Sequence, residues 1–176
     1  MAGQGTVPCP TQASGWFRGS PDDTGKGRDS EYAGPYRVSS TTKVDKVTFE
    51  AVQTGSLRAT VYGDGAVAGR FTMDVAGLLR APTDTGDLVM DLNGTFEYRL
   101  SGTAAATTFT PTGHSGSVGT AIGTWDAEGG PKPFTGPLRM DCDAGVLSLR
   151  WHDIEGWTDP RAVFHTEPRA DAVRIG

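Results

Sequence analysis

Between Val47 and Trp151 the chain carries a nearly continuous series of two-residue hydrophobic alternations, and no stretch of comparable length shows helical spacing. Successive side chains of a strand point to opposite faces, so this period reads as half-buried β-strands. Val67, Phe71, Met73 and Val75 share one parity, against Arg70, Thr72 and Asp74 on the other. The expected fold is all-β: a single antiparallel β-barrel of about eight to ten strands with an irregular N-terminal arm, a β-sandwich being the second choice.

Length supports one domain, since 176 residues can bury a sizeable core. Residues 1–43 are rich in Gly, Ser, Pro, Thr and charge, carry scattered aromatics at Trp16, Phe17, Tyr32 and Tyr36, and read as an arm packed on a barrel spanning 44–176. Val47, Phe49 and Ala51 form one apolar set. Gln53, Thr54 and Gly55 then separate it from Leu57, Ala59 and Val61. Gly63-Asp64-Gly65 reads as a hairpin turn into a strand ending at Val75, because glycine accepts the positive φ of tight turns.

After a turn at Thr83-Asp84-Thr85-Gly86, the residues Leu88, Met90, Leu92, Phe96, Tyr98 and Leu100 are all even, while Asp91, Asn93, Thr95, Glu97 and Arg99 are odd. A two-residue hairpin at Asn93-Gly94 would pair Leu92 with Thr95 and Met90 with Glu97, mixing apolar and polar side chains on one face. One long strand keeps the large apolar residues together, and long strands bent at a glycine belong to barrels and coiled sheets. A Thr/Ala/Gly-rich segment follows at 101–117. Further strands are expected around 118–125, 138–142, 147–151 and 162–165, with Asp143-Ala144-Gly145 as a hairpin.

Arg far outnumbers Lys and Asn93 is the one asparagine, a bias that resembles high-GC coding and leads us to expect a bacterial source. A formal charge of −5 and no Lys/Arg cluster argue against nucleic acid as a partner. Apolar runs are too short for a membrane span. Cys9 and Cys142 are a candidate disulfide that would pin the arm to the sheet, worth roughly 4 to 5 kcal/mol in the chain-entropy model. Two unrelated buried thiols are the alternative. The compartment therefore stays open between extracytoplasmic and cytoplasmic, as does the oligomeric state.

No cofactor fingerprint or metal-ligand spacing stands out. Asp22 to Glu31 alternates oxygen ligands with glycine but places Lys26 and Arg28 where calcium ligands should be. Ser115 and Ser117 beside His114 lack the strand-turn-helix setting of a nucleophile elbow. The densest reactive cluster is Trp151 to Trp157. There His152 and Glu155 are the catalytic candidates, as a proton-transfer pair, and His152, Asp153 and His165 the one metal-binding combination to consider. Trp151 and Trp157 either cap the core or grip a ligand at a rim.

Met73, Met90 and Met140 are flexible inward residues that line an adaptable cavity or fill core gaps. The leading expectation is a protein holding a small apolar or amphipathic molecule in the barrel mouth. A cofactor-independent cyclase or isomerase acting on a natural product in the same cavity is the alternative, since positioning alone lowers barriers. A structural or interaction module of an envelope, capsid or appendage is the third.

Overall fold

Five long strands carry the architecture. The computed structural model describes residues 29–120, 123–126, 130–141, 144–154 and 160–176. Strands β1 (Ser30–Val44), β2 (Val47–Val61), β3 (Ala66–Thr83), β4 (Gly86–Thr103) and β5 (Ala106–Thr120) follow one another as antiparallel neighbours. The shorter β6 (Gly123–Asp126), β7 (Phe134–Gly136), β8 (Leu138–Asp141), β9 (Val146–Arg150), β10 (Ala162–Phe164) and β11 (Arg169–Arg174) complete one antiparallel sheet. A single 3-10 turn, Trp151–Asp153, interrupts the strands. No α-helix occurs among the described residues, and none of their helices is long and apolar enough to cross a membrane.

The sheet nearly closes into a barrel. Its path runs β5-β4-β3-β2-β1-β11-β9-β8, while β7, joined to β8 through Pro137, pairs back onto β5 at Thr107–Phe109. Leu138 N–H donates to Ala104 C=O at 2.7 Å and helps bring the two ends together. Beyond this ring β2, β3, β4 and β5 continue outward, flanked by β10 on the far part of β1 and by β6 on the far part of β5. The molecule thus has a closed half and an open, trough-shaped half.

Aromatic side chains fill the closed half. Phe71 makes ring contacts with Tyr36, Tyr98, Phe109 and Trp151, and Trp151 stacks on Tyr36 at 4.6 Å. Phe134 stacks on Phe109 at 4.5 Å. Leu57, Leu100, Leu138, Leu147, Leu149, Ala170 and Ala172 pack around them. Each fully buried large side chain contributes about 1.5 to 3 kcal/mol of transfer free energy, so this half carries most of the hydrophobic stabilisation.

The expected turns form where glycine permits them. Gly65 has φ +87°, and its N–H donates to Tyr62 C=O at 2.9 Å between β2 and β3. Asp84-Thr85 joins β3 to β4 beside Gly86 at φ +131°. Strand β4 passes unbroken through Asn93-Gly94, which pair with Ala76 and Val75 on one side and Ser117 and Gly116 on the other. Leu92, Phe96, Tyr98 and Leu100 share the inner face with Met90, and Glu97 and Arg99 are exposed. Leu88 departs from the set at 41 % exposure, because the strand has by then outrun the facing wall.

Four expectations need correction. Residues 30–43, read as arm, belong to β1. Tyr32, Tyr36 and Val38 keep even parity toward the core, a signal that Gly34, Pro35 and the charges interrupt. Gln53-Thr54-Gly55 is no break: odd parity runs from Val47 to Val61 as one strand. Gly55 lies where β2 and β3 approach so closely that a Cβ would fall 1.9 Å from Thr72 C=O, which is its reason for being glycine. β3 ends at Thr83 rather than Val75. The 101–117 segment is a hairpin turning at Ala104-Ala105 into β5, its β-branched threonines favouring extended backbone.

Candidate functional site

The trough owes its lining to a change of parity in β5. Near the turn, odd residues Thr107 and Phe109 face the core, both fully buried. Between Tyr98↔Pro111 and Glu97↔Gly113 the register shifts, leaving Thr112 as an extra residue. A bulge of this kind swaps the faces of everything beyond it. His114, Gly116 and Val118, all even, therefore come to lie opposite Phe96, Gly94 and Leu92 on the inner side. Ser115 and Ser117 turn to the convex side.

A cavity of about 360 Å³ lies along this surface, with Phe49, Met73, Val75, Leu92, Phe96, His114 and Val118 among its side chains. Two of its aromatic rings lie over glycines. The Phe49 ring lies over Gly77, where a Cβ would be 2.6 Å from Cε2, and the Phe96 ring lies over Gly94, where it would be 3.0 Å away. Rings resting on glycine backbone bury that backbone and keep the centre of the trough free. The layer beneath Met73 is the packed one, with Phe71, Tyr36 and Trp151.

Among the described residues, the polar ones lining the cavity are Asn93, His114, Ser115 and Ser117. The Tyr36 hydroxyl, at the top of the packed layer, donates to Gln53 Oε1 at 2.7 Å, and burial pushes its pKa far above the usual tyrosine value. His114 is exposed at the edge of the cavity. Gly130 packs against its imidazole so closely that a Cβ there would lie 3.1 Å from Cε1.

The residues singled out from sequence do not gather in one place. Met73 lines the cavity; Met90, paired with Leu79, is half-buried further out; Met140 is on β8, packed against the closed core opposite Leu147. Trp151 is 1 % exposed and presents no open face. His152 is on the surface with Nε2 3.3 Å from Glu167 Oε1, an oxygen that also accepts from Arg150 Nη1 at 2.7 Å. The metal combination separates: Asp153 pairs with Arg139 at 2.9 Å and His165 Nε2 meets Thr41 Oγ1 at 2.9 Å. Among the described residues no group of three His, Cys, Asp or Glu gathers as a metal site. Glu155, Trp157, Cys9 and Cys142 lie outside the described residues, as does most of the Asp22 to Glu31 loop.

Sequence reading missed His114 as an inner residue, because a bulge leaves no mark in a Thr/Gly/Ser-rich run except the parity mismatch between Phe109 and Val118. Phe49 and Val118 carried an apolar signal but no indication of a shared cavity. Compared with known proteins, the chain matches no family model, no curated protein and no solved structure. The site must therefore be read from its own chemistry.

Proposed function

We propose that the protein binds a small apolar or amphipathic molecule in the trough. The observation that carries this reading is the cavity of about 360 Å³ between Phe49, Met73, Leu92 and Phe96, whose described lining is mostly apolar, with His114, Asn93, Ser115 and Ser117 as its polar residues. Small-ligand sites are concave and mostly apolar with a few placed polar groups, and their volumes run from about 300 to 1,000 Å³. The cavity falls at the small end of that range. Its apolar side chains are half-buried rather than sealed, so a ligand gains by covering them.

Titration with Nile red, whose emission rises in apolar surroundings, tests the reading. Saturable one-site binding is expected, weakened by about tenfold or more in Leu92→Trp, a loss of about 1.4 kcal/mol or more. Circular dichroism should show the variant folded, since Leu92 is outside the packed core. Absence of saturable binding, or binding indifferent to Leu92→Trp, would count against it.

A further inference from the structure

We infer that the ligand is a single-chain carboxylate, with its acid group at His114 and its apolar chain running along β4 and β5. This rests on the reading of the trough as a small-molecule site and adds the ligand's chemistry and direction.

Three observations carry it. First, among the described residues of the cavity lining His114 is the one titratable residue, and the bulge at Thr112 is what brings it to the inner side. Second, it stands at one end. From the His114↔Phe96 pair the lining passes through Gly116↔Gly94 to Val118↔Leu92 without another polar inner side chain. Four residues of strand span about 13 Å, room for an extended chain of about eight carbons. Third, His114 is exposed, so an ionised head keeps part of its hydration while the chain is desolvated.

The imidazole selects among head groups. A neutral or protonated ring offers an N–H to an acceptor, and a carboxylate accepts a shorter and stronger bond than an alcohol does. An ammonium head could donate only to the bare nitrogen of a neutral ring, and would be repelled by imidazolium. Gly130 lies beside the ring, where an added Cβ would be 3.1 Å from Cε1.

Displacement of bound Nile red by octanoate and by octan-1-ol, matched in chain length, provides the test. In the unmodified protein octanoate should displace the dye at about tenfold lower concentration or less than octan-1-ol, the difference expected of a charge-assisted hydrogen bond. In His114→Leu the preference should disappear or invert, each competitor being read against the variant's own Nile red affinity. Equal competition in the unmodified protein, a preference for the alcohol, or an acid preference that survives His114→Leu would each overturn the inference. If Nile red binds and is blocked by Leu92→Trp yet neither compound displaces it, the carboxylate assignment fails and the trough reading stands. If the dye does not bind at all, both fail.

Discussion

The two halves of this molecule are built from the same strands and differ in what lies across from them. In the closed half the inner residues of β2 to β5 face β8, β9 and β11, and Leu57, Phe71, Leu100 and Phe109 are fully buried. A few residues further along, Phe49, Met73, Leu92 and Phe96 continue the same inner face and remain half-buried. Alternation is identical in both. Whether an apolar stripe becomes sealed core or stays open is decided by how far the opposing wall extends, a tertiary fact that strand period does not contain.

The largest test of this contrast is truncation on both sides of the boundary. Trp151→Ala removes the ring that stacks on Tyr36 and touches Phe71, and should cost about 3 to 5 kcal/mol. Phe96→Ala removes a ring open to solvent on one side, and should cost less than about 2 kcal/mol. Urea denaturation of each variant gives the comparison. Similar losses would mean that the trough is part of the core and not a site.

Glycine substitutions repeat the contrast at smaller scale. A Cβ at Gly55 meets backbone, Thr72 C=O at 1.9 Å, and the strands must separate to admit it; Gly55→Ala should cost about 3 kcal/mol. A Cβ at Gly94 meets the far edge of the Phe96 ring, which can swing into the trough. Gly94→Ala should therefore cost under about 1 kcal/mol in stability while reducing Nile red affinity. Thermal melts and dye titration on the two variants separate packing from occupancy.

At the boundary itself, Tyr36→Phe leaves Gln53 Oε1 without its donor and should cost about 1 kcal/mol near neutral pH. Its pH dependence has a definite sign. Burial raises the Tyr36 pKa above its unfolded value of about 10, so the folded state holds the proton more tightly. That contribution is complete below about pH 10 and is lost as pH rises further. Tyr36→Phe should flatten the alkaline fall of stability seen by urea denaturation, leaving the smaller part that comes from Tyr98, whose pKa burial also raises.

How legible this was depended on the kind of signal. The turns at Gly65 and Gly86 and the unbroken β4 follow from residues whose conformational demands are local, so they can be read directly. The same parity argument that kept β4 whole applies to Val47–Val61, and only a misplaced weight on Gly55 hides it. β1 was obscured by Gly34 and Pro35, residues that interrupt an alternation without ending a strand. The site was the least legible part. The inner position of His114 depends on the extra residue at Thr112, and the apolar lining is distributed over four strands joined by register alone.

The smallest predicted effect concerns the cluster that sequence made most prominent. His152 lies just after β9, with its ring about half exposed at 54 % and its Nε2 at 3.3 Å from Glu167, whose carboxylate is already engaged by Arg150. Exposed pairs of this sort contribute about 0 to 1 kcal/mol, and a shared carboxylate lowers what each partner supplies. His152→Ala should thus change stability by no more than about 0.5 kcal/mol. It should leave both Nile red binding and the preference for octanoate unchanged, because the inner side chain adjacent to it, Trp151, is sealed between Tyr36 and Phe71. A variant that folds normally but loses dye binding would move the proposed site from the trough to the exit of β9, away from the line that separates the molecule's packed half from its open half.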